Sequence, residues 1–93
     1  MKTKTERILK YIKDNEPCKA YDICRAAGLK RRYLDADEMS PSSKPYSYYV
    51  GWSGYRVNLT QWGWYGDKAK ASIELTKAGY VLTDYGRAKL AKY

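Results

Sequence analysis

Apolar residues recur at helical spacing along the first part of the chain and predict an amphipathic helix over residues 3–17. The apolar residues on one face are Ile8, Leu9 and Ile12, and lysines occupy the other face. Thr3 and Glu6 have the spacing of a capping box, in which each side chain binds a backbone N–H of the other residue. Pro17 ends the helix because proline disfavours helical geometry in the residue before it.

Two more short helices are predicted before residue 40. The second covers residues 19–28, where Gly28 permits the left-handed turn that ends it. The third covers residues 29–39, and the Pro- and Ser-rich residues 40–45 form a loop by composition. The inward-facing residues are Ile23, Ala26 and Ala27 in the second helix, and Leu29 and Leu34 in the third, with Tyr33 as a further candidate.

A period of two replaces the helical period after residue 45. Residues 46–52 and 55–62 both alternate, and Ser53 and Gly54 between them predict a two-residue hairpin turn. Residues 69–75 alternate strictly and predict a third strand. The link "QWGWYGDK" between the last two strands is a glycine-punctuated loop that carries two tryptophans.

The tail of the chain supports two interpretations. A single helix over residues 77–92, capped by Thr76, aligns a set of apolar residues. Alternatively, "GYVLT" is a short strand and Asp84 starts the last helix. We favour the single helix, although Gly79 and Gly86 each cost up to ~1 kcal/mol in a helix interior. The residues aligned by the single helix are Ala78, Val81, Leu82, Tyr85 and Ala88.

These elements predict one α+β domain over residues 1–93, with three helices, a small antiparallel sheet and a C-terminal helix. "DICRAAGLKRRYL" has the apolar, small and turn-glycine spacing of a helix-turn-helix core. "SIELTKAGY" resembles the end of the β-hairpin, or wing, and the start of the next helix in winged-helix regulators, which often carry Leu-Thr-x-x-Gly there. The chain therefore resembles the winged helix-turn-helix superfamily of the MarR-like and archaeal types. The resemblance implies that the third helix contacts DNA.

One feature of the predicted third helix departs from that superfamily. Its first residues are basic, but Asp35, Asp37 and Glu38 then place three negative charges on a helix that should face phosphates. A carboxylate can accept a hydrogen bond from cytosine, but three of them oppose binding unless they point away. Either the helix ends near Ala36, or it does not read bases in the usual way.

The net charge of +8 on 93 residues implies an acidic partner, most often nucleic acid. Arginine forks suit phosphates and guanine edges, and exposed aromatic rings can stack on bases. The candidate nucleic-acid-binding residues are Lys19, Lys30, Arg31, Arg32, Lys44, Arg56, Trp62, Trp64 and Lys68.

The stretch over residues 46–65 is dense in aromatic residues, since eight of its twenty residues are Tyr or Trp. Its alternation predicts that about half of the side chains line the core. The expected core residues are Tyr48, Val50, Val57 and Leu59. The surplus residues are Tyr49, Trp62, Trp64 and Tyr65, which suit either base stacking or a protein interface.

The chemistry of the chain argues against catalysis. Without histidine no Ser-His or Cys-His pair can form, and no glycine-rich phosphate loop is present. Cys18 and Cys24 are too few for a disulfide framework or a tetrahedral metal site, and Cys24 is interpreted as a small buried apolar residue. We therefore expect no enzyme activity, cofactor or metal. With no membrane span or signal-peptide core, we expect a cytoplasmic protein with reduced thiols.

Two functions remain open from the sequence. The first is a small prokaryotic or phage transcriptional regulator that binds double-stranded DNA through the third helix and the wing. The second is a protein-binding winged-helix module, such as a phage-encoded inhibitor of a host nucleic-acid enzyme, of the anti-CRISPR kind. The acidic residues and the aromatic surplus motivate the second. In either case we expect a monomer or a weak homodimer.

Overall fold

The computed structural model describes residues 3–34 and 46–93. These residues form four helices and two antiparallel two-stranded sheets, so the fold is α+β as predicted. The helices are α1 (Lys4–Asn15), α2 (Ala20–Ala26), α3 (Trp52–Thr60) and α4 (Asp84–Ala91). The strands are β1 (Arg31–Leu34), β2 (Tyr46–Tyr49), β3 (Ile73–Thr76) and β4 (Gly79–Leu82), and a 3₁₀ turn covers Lys68–Lys70.

Helix α1 forms as the sequence predicts. The Thr3 Oγ1 accepts a hydrogen bond from the Glu6 N–H at 3.1 Å, which is the capping interaction that its spacing indicates. The helix ends at Asn15, two residues before Pro17. Its three predicted apolar residues are completely buried and form the centre of the core.

Helix α2 is confirmed, with one correction. Gly28 has φ +73°, in the left-handed region that ends a helix. Ile23 and Ala27 are buried as predicted, but Ala26 is exposed. Cys24 takes the inward place of Ala26, because the buried face of α2 runs along positions 23, 24 and 27.

The predicted helix over residues 29–39 is wrong where the structure describes it. Residues 31–34 form β1, which pairs antiparallel with β2 so that Arg31 lies opposite Tyr49. The Val50 N–H donates to the Lys30 carbonyl at 2.7 Å and extends this ladder. A partner strand distant in sequence thus overrides the local helical pattern. The acidic residues 35, 37 and 38 lie outside the described residues, as do the side chains of Tyr33 and Leu34.

The predicted strand over residues 55–62 is also wrong, since these residues largely form α3. Ser53 and Gly54 do not make a hairpin turn but lie in the first turn of this helix. The strand before it is shorter than predicted and ends at Tyr49. The spacing of the aromatic residues fits both the strand period of two and the helical period, and in the structure these residues adopt the helix. Trp52, Tyr55 and Leu59 follow the i, i+3, i+7 pattern and all pack against the core.

Two differences account for the core residues that were misassigned: residues 52–60 are helical, and β2 turns Tyr49 rather than Tyr48 towards the core. Leu59 is buried as predicted, at 5% exposure. Tyr48, Val50 and Val57 are exposed, and their predicted place in the core is wrong. Tyr49, expected in the surplus, is half-buried and packs against the core.

For the tail of the chain, the strand-plus-helix alternative is correct, and the single helix over residues 77–92 is wrong. β3 and β4 form a hairpin in which Ile73 lies opposite Leu82 and Thr76 opposite Gly79. β3 is shorter than the predicted strand over residues 69–75, because the 3₁₀ turn precedes it. α4 begins after Thr83, whose hydroxyl accepts a hydrogen bond from the Gly86 N–H at 3.0 Å.

The core joins α1 and α2 to the β3–β4 hairpin. Cys18 pairs with Tyr80 of β4 through hydrogen bonds of 3.1 and 2.7 Å between their backbones. Burial raises the pKa of the Cys24 thiol to about 11, so this thiol is neutral at physiological pH, in line with its predicted apolar role. None of the helices within the described residues combines the length and apolar character needed to cross a membrane.

Candidate nucleic-acid interface

The candidate residues fall on separate parts of the molecule. Lys19 precedes α2 and Lys30 precedes β1, and both side chains are exposed. Arg31 and Arg32 are exposed residues of β1. Lys44 lies outside the described residues. The remaining candidates gather at the end of α3 and in the segment that follows it, and they are Arg56, Trp62, Trp64 and Lys68.

Three of these residues line one groove between α3 and the β3–β4 hairpin. Arg56, Trp62 and Lys68 contribute to its walls, and the groove has a volume of about 620 Å³. The hairpin side includes Glu74 and Leu75, and Leu75 is largely exposed. We call this feature the α3 groove. It brings together a cationic helix residue, an indole ring and a cationic side chain from the 3₁₀ turn.

The end of α3 sets the direction of the chain that follows. Gln61 adopts a left-handed conformation with φ +54°, and its N–H donates to the Val57 carbonyl. The Trp62 N–H donates to the same carbonyl at 3.2 Å. The Gln61 side chain donates to the Asn58 carbonyl at 2.8 Å and accepts from the Asp67 N–H at 3.1 Å. One glutamine therefore ties the end of the helix to the far end of the loop.

The loop over residues 61–67, which we call the Trp loop, is closed by a tight backbone approach. A Cβ at Gly66 would lie 1.9 Å from the Gln61 carbonyl oxygen, so any side chain there would force the loop to shift. The Gly66 N–H donates to the Gly63 carbonyl at 3.2 Å. The Asp67 carboxylate accepts from the Ala69 N–H at 3.0 Å and caps the 3₁₀ turn. The predicted loop is confirmed, and it has its own hydrogen-bond framework.

The aromatic rings of the Trp loop face outward. Trp62 is 69% exposed and Trp64 is 99% exposed, while Tyr65 is fully exposed. Large rings with that exposure on a hydrogen-bonded loop do not contribute to the core. The structure therefore separates rings that pack against the core (Tyr49, Trp52 and Tyr55) from the exposed rings of the Trp loop.

Charge on the elements that border the α3 groove is positive. Residues 52–82 carry four basic and two acidic side chains. One of the acidic residues, Asp67, is engaged with the 3₁₀ turn, while Glu74 lies in the groove itself. The basic residues are Arg56, Lys68, Lys70 and Lys77, and all four are exposed.

The exposed arc of α3 includes one residue that sequence reasoning missed. Ser53 and Val57 lie at the middle of this arc, with Arg56 on the side of the α3 groove and Asn58 on the other. Arginine pairs with guanine and asparagine with adenine in the major groove. Asn58 was missed because the candidates were chosen by positive charge and aromatic type, and asparagine has neither.

A second cluster surrounds Tyr21 on α2. The guanidinium groups of Arg25 and Arg31 lie 5.6 and 5.4 Å from the centre of the Tyr21 ring, at cation–π distance. Tyr49 meets Tyr21 edge-on at 5.6 Å, and Arg31 lies 5.8 Å from the Tyr49 ring. Loss of hydration raises the pKa of the Tyr49 hydroxyl, and its hydrogen bond with Tyr21 raises it further.

This Tyr21 cluster, made of Tyr21, Arg25, Arg31 and Tyr49, changes the interpretation of one candidate. Arg31 also donates a hydrogen bond to the Tyr21 hydroxyl at 3.4 Å. Its contacts join β1 and β2 to α2, which is a structural role for a residue expected to bind DNA. Tyr21 and Arg25 were missed because their neighbours come from strands distant in sequence.

Comparison with known proteins finds no matching family model, no matching curated protein and no matching solved structure.

Proposed function

We propose that this protein binds duplex DNA as a winged-helix module in which α3, rather than residues 29–39, enters the major groove. The observation that carries the proposal is the exposed arc of α3, with Arg56 and Asn58 on its two sides and the basic α3 groove beside it. An α-helix fits the major groove, and these two side-chain types have the donors and acceptors that distinguish bases there.

The order of elements supports this assignment. The chain runs through α1, the Cys18 bridge, α2, α3, the β3–β4 hairpin and α4. That order resembles a winged helix with the β1–β2 hairpin inserted between the second and third helices. The β3–β4 hairpin would then be the wing. The isolated β-bridge between Cys18 and Tyr80 would take the place of the short first strand beside it. Fold resemblance alone does not establish function, and the side chains of α3 supply the specific chemistry for DNA binding in this proposal.

The polar side chains of the proposed interface have different expected roles in DNA binding. Lys68 and Lys70 would bind phosphates and position the protein, which gives affinity without sequence preference. Arg56 would contribute to affinity and to the choice of base, because its fork can bind the two acceptors of guanine. Asn58 would contribute mainly to specificity. Arg31, held in the Tyr21 cluster, would support the hairpin instead of contacting DNA.

Binding to a labelled duplex, followed by fluorescence anisotropy at several salt concentrations, tests the proposal. We expect Arg56→Ala to weaken binding by ~1–3 kcal/mol and to relax the preference for the base pair that Arg56 contacts. Lys10→Ala is the matched control, since it removes the same charge from the exposed face of α1. The proposal fails if the wild-type protein has no affinity even at low salt. It also fails if Lys10→Ala weakens binding as much as Arg56→Ala.

A further inference from the structure

The Trp loop presents ring faces that a duplex cannot use. In a double helix the faces of the bases are covered by their neighbours, and only edges and backbone are accessible. Trp64 and Tyr65 expose their whole rings to solvent. We infer that the Trp loop stacks on unpaired bases, so that the preferred ligand carries a single-stranded segment next to duplex. The duplex part of this ligand rests on the proposed function.

The backbone of the Trp loop is held in place by hydrogen bonds before any ligand binds. The Gln61 side chain bridges Asn58 and Asp67, and Gly66 lies against the Gln61 carbonyl. A loop held in this way loses little conformational entropy when a base stacks on it. The same loop joins α3 to the 3₁₀ turn, so its backbone carries the rings next to the helix proposed to bind duplex.

Cationic groups lie where the backbone of a single strand would run. Trp62 lines the α3 groove with Lys68, so a group proposed to bind phosphate lies beside a stacking surface. Grooves that bind single strands combine positive charge with aromatic rings in this manner. Glu74, also in the groove, offers a carboxylate that can accept a hydrogen bond from the amino group of a base.

Charge selects a nucleic acid over a protein as the occupant. The four basic side chains on the elements that border the groove, two of which line it, and the net charge of +8 complement a polyanion. The interface core of a protein partner is instead depleted in lysine. Two lysines lie in the 3₁₀ turn that follows the rings directly, at positions 68 and 70.

The test compares three labelled probes: a blunt duplex, the same duplex with a single-stranded extension of about six nucleotides, and the unpaired strand alone. The extension should tighten binding by roughly 5- to 150-fold for each base stacked. Trp64→Ala should abolish most of that gain while leaving blunt-duplex binding and thermal stability unchanged. Tyr93→Ala, which removes an exposed ring at the end of the chain, is the control and should keep the gain. Tryptophan fluorescence should fall when the extended probe binds, because Trp62 and Trp64 stack on bases.

The outcomes separate this inference from the proposed function. Equal binding of blunt and extended probes, or an undiminished gain in Trp64→Ala, overturns the inference and leaves duplex binding in place. The second result would point to a protein as the partner of these rings. Binding of the single strand that depends on Trp64, without any affinity for blunt duplex, supports the inference and overturns the proposed function.

Discussion

Helices α1 and α3 are stabilised in opposite ways. α1 starts with the Thr3 cap and has three fully buried apolar side chains on one face. α3 starts after Gly51 without any side-chain cap, and Leu59 is its one buried residue. The first helix has the sequence of an independent amphipathic element, whereas the second has few local signals that favour a helix.

The contacts of α3 explain why it forms nevertheless. Trp52 meets Tyr80 edge-on at 5.7 Å, and Tyr55 packs against the core. The Leu59 carbonyl accepts a hydrogen bond from the Ser72 N–H at 2.7 Å, which ties the helix to the segment before β3. A helix attached along one narrow edge keeps most of its surface exposed. That surface is available for recognition, while α1 serves the core.

The largest effect is expected at the apolar anchor of α3. Leu59→Ala should lower the free energy of unfolding by ~2–5 kcal/mol, the usual range for a buried leucine. Val57→Ala, two residues away on the exposed arc, should change it by less than about 1 kcal/mol. Urea denaturation of both variants measures the difference. Similar losses at the two positions would show that burial of the Leu59 side chain is not the main apolar contribution of α3 to stability.

A smaller effect is expected at the carboxylate that follows α1. Glu16 accepts a hydrogen bond from the Leu82 N–H at 2.9 Å and forms an ion pair with Arg87 of α4. The Leu82 N–H, and then Arg87, hold the pKa of Glu16 below its ordinary value of 4.5. A carboxylate with a depressed pKa in the folded state stabilises the protein above its unfolded pKa. This contribution is lost as the pH falls from about 4.5 through the folded value.

Glu16→Gln keeps an acceptor for the Leu82 N–H but removes the charge. It should cost about 1 kcal/mol at neutral pH, and the free energy of unfolding should then decline less between about pH 5 and pH 3. Asp14→Asn, an exposed carboxylate near the end of α1, is the control. Thermal melting as a function of pH compares the two. If stability falls equally with decreasing pH in wild type and Glu16→Gln, the contacts of the Glu16 carboxylate with Leu82 and Arg87 do not contribute to stability.

The smallest effect is a gain in stability within α3. Gly54 lies in the helix, and a Cβ built there meets no atom within 4 Å. Gly54→Ala should therefore raise the free energy of unfolding by roughly 0.5–1 kcal/mol, because alanine favours helix and restricts the unfolded chain. Guanidinium denaturation detects a change of this size. If the variant is no more stable than wild type, low helix propensity does not limit the stability of α3. The difference in local helix signals between α1 and α3 would then matter less than proposed.

Part of the candidate site could be predicted from sequence. Arg56, Trp62 and Lys68 were identified from charge and aromatic type, and the structure places all three in one groove. The glycines of "QWGWYGDK" indicated the loop correctly. Asn58, to which we propose a role in base recognition, was not predicted, because charge and aromatic type do not single out an asparagine.

Local signals by themselves determined α1, the end of α2 and the position of the Trp loop. A cap, a helical period and turn glycines act between residues a few positions apart, so the sequence carries their outcome directly. Only the tertiary structure decided the conformation of β1 and of residues 46–60. There "YSYYVGWSGYRVNL" satisfies two periods at once, and the choice between them depends on distant partners. β1 becomes a strand because β2 pairs with it, and α3 becomes a helix because Trp52, Tyr55 and Leu59 reach the same core.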